Sequence, residues 1–318
     1  MTSRGSIVLA RTAESLYWLG RYMERSESMA RILDVHLHEI IGSNDDNEAR
    51  WSDQMSTVFS FERNVESFDK LALGLSLDET VPSSIRYSIE RAYENAKSAR
   101  DAISLEYWEL INVAFGRVSR YTLDQFGHGL FTFYSIIKER CAQGRGLAVS
   151  TMNRDAAWHF LNLGYNVEQL DILLRLIIEK RRSKIPEDWV VVLRSIGGHE
   201  AFLRATNSPV SEIGSLNFLI QERIFPRSIL ATMLRISNIV NELLRGLDES
   251  QGFSLPPELP RQIARLEYPL ASETGEIDLL LDDLWSSHLL MCNFYYETFF
   301  SPLSKSNFNY PLRSEVWR

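Results

Sequence analysis

The amino-acid sequence predicts an all-α protein, a single bundle of long helices over residues 1–318 with an internal pseudo-repeat. Three observations point there. Apolar residues recur at spacings of three and four along most of the chain, the period of a helix face. No period-two alternation is long enough for a strand; Trp189–Leu193 is the best competitor, and it is short. Several helical patterns exceed twenty residues with no Pro/Gly/Ser-rich linker between them, which suits a bundle rather than a layered sheet.

The first helix is expected from about Ile7 to Ile40, stopped by Gly42, since glycine takes positive φ without steric cost just past a helix end. An acidic turn, Asn44–Glu48, follows, then shorter helices near Arg50–Ser60 and Val65–Leu75. Pro82 suits a first helical turn, where its missing N–H costs nothing, and opens a long helix through Arg91 and Trp108 to about Phe115. The next runs from Leu123 to Ala142, ended by Gly144 and Gly146, and another from Asn153 to Arg182. Pro186, Pro209, Pro226 and Pro257 precede patterns at Glu187–Ile196, Val210–Gln221, Arg227–Arg245 and Glu258–Leu266. A last helix, Glu276–Phe299, carries Trp285, Phe294, Tyr295, Tyr296 and Phe299, with Phe300 next. These aromatics are either core or a partner surface.

Composition narrows the function classes. The chain has 318 residues and a formal net charge of -8, against a general nucleic-acid binder. Of 34 basic residues only Lys70, Lys97, Lys138, Lys180, Lys184 and Lys305 are lysines, which leaves 28 arginines. Arginine keeps its charge when buried and offers a planar fork of donors to carboxylates and phosphates. Cys141 and Cys292 are too few for a disulfide framework or a zinc site and read as reduced thiols. The first twelve residues lack a secretory pattern and no apolar run reaches membrane-spanning length, so a cytoplasmic protein is expected.

The pseudo-repeat is read from two segments. Leu19-Gly20-Arg21-Tyr22-Met23-Glu24-Arg25-Ser26-Glu27 aligns with Leu163-Gly164-Tyr165-Asn166-Val167-Glu168-Gln169-Leu170-Asp171, and Arg31 matches Arg175. Glycine, carboxylate, carboxylate and arginine at spacings of 4, 3 and 4 share one helical stripe. The glycine lets a neighbouring helix approach, and Glu27–Arg31 and Asp171–Arg175 have the favourable i, i+4 order. A third segment, Arg100–Asn112, places Glu106, Glu109 and Asn112 at spacings of three. Such stripes suit interhelical ion pairs that set the bundle's register. They also suit an anion pocket lined by arginines or a carboxylate metal site. No glutamate has histidine three residues later, which excludes the ferritin-type di-iron pattern, and the arginines oppose a magnesium site; no metal or cofactor is expected. His36 and His38 point to different helix faces, and His128, His159, His199 and His288 read as structural or surface. There is no phosphate loop, dinucleotide fingerprint, Gly-x-Ser-x-Gly elbow or Cys-x-x-Cys, so the chain is not expected to bind ATP alone.

The same segments carry a family resemblance. Leu9–Glu27 resembles the opening signature of the bacterial alpha-E family, an all-helical domain with a Glu-Arg motif. Arg100–Asn112, Thr151-Met152-Asn153-Arg154-Asp155 with the helix to Arg175, and Phe225-Pro226-Arg227-Ser228 resemble its further signatures, in order along nearly the whole chain. The family pattern repeats Gly-Arg and Glu-Arg in the third segment, where this chain has Tyr165 and Gln169. If both arginine sets held one symmetric anion, half of that site is missing here. The resemblance implies association with a circularly permuted ATP-grasp protein and a transglutaminase-like protein, hence a docking or substrate-presenting role in amide-bond formation. Under that reading Arg21, Arg25, Arg31 and Arg227 hold an anionic substrate or the ligase surface. The alternative is an enzyme in which Glu24 or Glu106 acts as acid or base with a pKa raised by burial, which needs the three acidic pairs to converge on an open pocket. A purely structural or oligomeric helical protein is the third reading.

Overall fold

The computed structural model describes residues 10–40, 45–59, 61, 67–183, 189–245, 247, 254–270 and 274–301. Gly42, Pro186 and the segment 62–66 lie outside them. The described residues form thirteen α-helices and no strand. They are α1 (Ala10–Ile40), α2 (Asp45–Val58), α3 (Phe68–Leu77), α4 (Ile85–Ser98), α5 (Leu105–Val118), α6 (Leu123–Thr151) and α7 (Ala156–Ser183). Then come α8 (Trp189–Ser195), α9 (His199–Thr206), α10 (Glu212–Gln221), α11 (Ile229–Arg245), α12 (Glu258–Leu266) and α13 (Thr274–Tyr295). One π-helical turn, Tyr296–Phe300, closes the last helix.

The two long helices α1 and α7 cross at the centre; α4 and α6 flank α1, and α11 lies along α7. The crossing is set by two glycines. A Cβ on Gly20 would overlap the Leu161 carbonyl oxygen and come within 2.9 Å of the Tyr165 nitrogen. A Cβ on Gly164 would overlap the Tyr17 carbonyl oxygen and come within 3.0 Å of the Arg21 nitrogen. The approach is therefore reciprocal, each glycine meeting the backbone three residues before and one after the other. Around it Leu16, Leu19, Met23, Leu161, Leu163 and Leu170 are buried.

Several helices differ from the sequence expectation. The helix expected through Trp108 is two, because Ser104 leaves the helical conformation and accepts from the Tyr107 N–H (3.2 Å), after a 3₁₀ turn at Arg100–Ala102. Helix α6 runs on through Gly144 and Gly146 to Thr151. Gly144 sits against Tyr107, Leu110 and Met23, so its missing side chain admits the neighbouring helices instead of ending this one. The acidic run expected as a turn opens α2. Helix α9 was not expected; it starts after Gly197 at φ 68 and ends on Asn207 in the left-handed region, with only Phe202 of its own buried. Trp189–Leu193 is helical. On the last helix, Tyr295, Phe299 and Phe300 are core: Phe300 packs 5.3 Å from Tyr17 and Phe299 5.4 Å from Phe160, ring centre to ring centre. No helix among the described residues is long and apolar enough to cross a membrane.

Replacing Gly20 or Gly164 by alanine forces two backbones apart, and each should cost on the order of 1–3 kcal/mol or more in chemical denaturation. Gly146, in the same helix class but with nothing within 4 Å of a built Cβ, should instead gain about 0.5–1 kcal/mol as alanine. Equal effects at Gly20 and Gly146 would contradict the close crossing.

Candidate functional site

The helix crossing brings charged side chains into three adjoining centres. In the first, Glu168 of α7, almost wholly buried, receives two guanidiniums from α1. Arg21 Nε donates to Oε2 (2.6 Å), and Arg25 donates through Nε to Oε1 (2.5 Å) and Nη2 to Oε2 (3.1 Å). Both arginines are buried and lie over aromatic rings, Arg21 over Trp18 (5.3 Å) and Arg25 over Tyr22 (5.3 Å). Two cations share one carboxylate here, with the Tyr17 hydroxyl accepting a further bond from Arg21 (3.3 Å).

The second centre is built on Glu24 and Glu27. Glu24, fully buried, is held by Arg145 Nη2 from α6, by Arg227 Nη1 (2.8 Å) and by the Ser28 hydroxyl (2.9 Å). Glu27 accepts from Arg31 (2.7 Å) and from Arg227 Nη2 (2.9 Å), with Arg145 at 3.5 Å. Arg227 thus forks across both carboxylates. It is placed by local chemistry: the next residue, Ser228, accepts from the Ala231 N–H (3.1 Å) and starts α11. Burial alone would raise Glu24, but Arg227, Arg145 and the Ser28 hydrogen bond outweigh it and hold the carboxyl below its ordinary value.

The third centre lies between α7 and α13. Arg175 Nε donates to Asp171 Oδ2 (2.8 Å) and its guanidinium lies 4.7 Å from the Trp285 ring centre. His288 Nε2 donates to Asp171 Oδ1 (3.2 Å), and Cys292 Sγ is 3.8 Å from the same nitrogen. Burial disfavours the His288 imidazolium, yet Cys292 and Asp171 outweigh it and raise the group to about 9. For Cys292 burial works upward, and the facing His288 and Arg21 charges draw the thiol below its ordinary value. Cys141 has no such partners in excess: burial raises it strongly.

Of the residues singled out in the sequence, Arg21, Arg25 and Glu168 meet in one centre, Glu24, Glu27, Arg31 and Arg227 in the second, and Asp171 and Arg175 in the third. The third acidic pair does not join them. Tyr107, Leu110, Ile111, Ala114 and Val118 take the inward face of α5, which leaves Glu106, Glu109 and Asn112 exposed on the other. Arg100 lies over the Trp108 ring (5.6 Å), outside the centres, and Arg154 is exposed, donating to the Val149 carbonyl (3.0 Å) and lying over Trp158 (4.2 Å). Sequence reasoning missed Arg145, Arg235, His288 and Cys292, whose roles depend on neighbours far along the chain. The side chain of His128 lies outside the described residues.

Among the described residues no group of three or more His, Cys, Asp or Glu is arranged to hold a metal ion. The two best-formed cavities there are small. One of about 10 Å³ borders Ser28, Gln169 and Arg227, and one of about 20 Å³ borders His36, Glu179 and Lys180. Each has room for little more than a water molecule. The family model of Alpha-E, described as a predicted alpha-helical domain with a conserved ER motif, matches residues 8–294. The chain belongs to the Alpha-E family. No curated protein and no solved structure matches it.

In this Alpha-E chain the Glu-Arg dipeptide Glu24-Arg25 works in two directions. Consecutive helical residues point about 100° apart, so Arg25 reaches Glu168 while Glu24 reaches Arg145 and Arg227. Two α7 residues of the second segment, Tyr165 and Gln169, brace this network. Tyr165 lies 4.3 Å beneath the Arg145 guanidinium, and Gln169 donates to the Pro226 carbonyl (3.0 Å) and the Thr232 hydroxyl (2.8 Å). Glu24 thus has two guanidiniums, supplied by α6 and by the turn before α11.

Removing the Glu168 carboxylate, as in Glu168→Ala, takes the shared anion from two buried guanidiniums and should cost about 3–5 kcal/mol. Glu106→Ala on the solvent face should stay within about 0.5 kcal/mol. Chemical denaturation of both variants checks the contrast, and comparable losses would refute it. His288 offers a pH test. Its folded value lies above the ordinary 6.5, so its contribution to stability is complete below that pH and is lost as pH rises through about 9. An imidazole NMR titration should place the midpoint near 9 and lower it in Cys292→Ser; a wild-type midpoint at or below 6.5 would contradict the His288–Cys292–Asp171 pairing.

Proposed function

We propose that this Alpha-E chain is a non-catalytic accessory component of an ATP-dependent amide-forming system, docking on an ATP-grasp-type ligase or presenting an anionic substrate to it in the cytoplasm. A transglutaminase-like protein belongs to the same system. The link to these partners rests on the resemblance of the four signature segments. The observation that favours binding over catalysis is the state of the carboxylates. A general acid or base needs a pKa near the working pH and a route to substrate. Glu24 is instead held below its ordinary value with both oxygens engaged, and Asp171 lies well below the carboxylate range, where Arg175 and His288 overcome the effect of burial. Carboxylates kept ionised in this way orient cations; they do not shuttle protons.

The available chemistry on the outward side is cationic. Arg21 and Arg25 are committed to Glu168 inside the crossing, so the cations that can meet a partner are those on the second centre. The Arg145 side chain is 34% exposed and that of Arg31 28%. Guanidinium-rich, partly exposed patches beside aromatic rings are frequent anchors of protein interfaces.

Affinity isolation of the tagged full chain from its own cell extract tests the reading, with amide formation by the recovered complex followed against ATP. An ATP-grasp ligase should be recovered, and the chain alone should form no amide. Absence of any such ligase, or turnover by the isolated chain, would reject the accessory role.

A further inference from the structure

Four guanidiniums, from Arg31, Arg145, Arg227 and Arg235, gather about only two carboxylates, Glu24 and Glu27. Arg31, Arg145 and Arg227 account for those carboxylates between them. Arg235 of α11 is different. Its Nε donates to the Asn166 side-chain oxygen (2.8 Å), and its Nη2 to the Pro226 carbonyl and the Thr232 hydroxyl (3.2 Å). All three acceptors are neutral, and among the described residues no carboxylate lies within ion-pairing distance of it. The Pro226 carbonyl adjoins Arg227, and Asn166 adjoins Tyr165, the ring under Arg145. Three cations from α6, the turn before α11 and α11 itself are thus brought to one side of α7.

That arrangement is costly without an anion. Half-buried Arg235 is pulled down to about 10, by burial first and then by the like charges of Arg145 and Arg227, against a smaller upward pull from Glu24. A guanidinium charge with no carboxylate of its own is matched best by an oxyanion. The surroundings favour an organic one. Exposed Val149 stands one helical turn beyond Arg145 on α6. An anion with an apolar body can cover this side chain, which inorganic phosphate cannot.

We infer that Arg145, Arg227 and Arg235 form a subsite for the carboxylate of a peptide-like ligand, an N-acylated amino acid or the free acid end of a peptide. This rests on the binding role proposed above and names its ligand class. Glu24 and Glu27 orient Arg145 and Arg227 from beneath, and Arg235, held through Nε and Nη2 by neutral acceptors, supplies a charge that has no carboxylate of its own.

The test uses the isolated full chain, so it stands apart from recovery of a ligase. Binding of N-acetylphenylalanine, its neutral amide and inorganic phosphate is measured by calorimetric titration at constant ionic strength in chloride. N-acetylphenylalanine should bind, and the amide and phosphate should bind at least about tenfold more weakly, since the charged hydrogen bonds or the apolar contact is lost. Arg235→Gln should weaken the acid about tenfold or more. Arg235→Lys, which keeps the charge without the guanidinium, should fall between, and both variants are first checked for helicity and melting temperature. If Arg235→Gln unfolds, Arg235→Lys alone carries the test, and its wild-type affinity would then overturn the role of Arg235 in the subsite. Equal binding of acid and amide, tighter binding of phosphate, or unchanged affinity in Arg235→Gln would each overturn the assignment.

Discussion

Backbone contact at one helix crossing governs the rest of this structure. Gly20 and Gly164 let α1 and α7 approach until each backbone occupies the space a Cβ would need on the other. At that separation the side chains one and four or five positions further along no longer point into solvent; they must reach across the partner helix. Arg21 and Arg25 therefore end on Glu168, and Glu24 is sealed inside the bundle. A charge sealed in this way costs several kcal/mol of desolvation unless it is paired and hydrogen-bonded. The close crossing and the ion-pair centres are thus one constraint: the glycines create the burial, and the burial demands the arginines.

The demand explains the arginine bias of the chain. A lysine can lose its proton when buried, whereas a guanidinium stays charged and can bridge two carboxylate oxygens. Arg25 spans both oxygens of Glu168, and Arg227 joins Glu24 to Glu27, geometries a point-like ammonium cannot reproduce. Aromatic faces complete the packing, as with Arg21 on Trp18 and Arg145 on Tyr165. Such networks add little net stability compared with an apolar core, but they penalise any register in which one partner is missed. The energetic logic is specificity of packing at the centre, with surplus cation left on the outer side.

The fold was legible in the sequence wherever one helix face supplies its own pattern. The long amphipathic runs of α1 and α7, the glycine at the head of each polar stripe and the i, i+4 pairs Glu27–Arg31 and Asp171–Arg175 are all local signals, and the pairs close at 2.7 and 2.8 Å. Local signals also misled. Gly144 carries the composition of a helix end, yet the space it leaves is filled by Tyr107, Leu110 and Met23. Ser104 breaks what looks like one helix, because its hydroxyl competes for the Tyr107 N–H. Glu106 and Glu109 share the spacing of the buried pairs but sit on the opposite phase from Tyr107 and Leu110, and spacing alone does not say which face is inside. Arg145, Arg235 and His288 were illegible for a different reason. Each acquires its role from residues more than sixty positions away, Arg145 from Glu24, Arg235 from Asn166 and His288 from Asp171.

Tyr165 and Gln169 show how the facing helix braces such a centre without supplying its charges. An arginine at either position would come from α7 itself, the helix that faces Glu24 across the crossing. Here Glu24 draws its cations from α6 and from the turn before α11 instead. Tyr165 becomes a floor for the Arg145 guanidinium, its hydroxyl bonded to Tyr107 (2.9 Å), and Gln169 ties the Pro226 carbonyl to α7. The charge on Glu24 is still met, because leaving it unpaired would cost more than rebuilding its surroundings. Cations delivered from the periphery keep part of their surface in solvent, as the side chain of Arg145 does, whereas Arg21 and Arg25 on the other side of the crossing have almost none. The centre on Glu24 is thus partly open to solvent, whereas the one on Glu168 is closed.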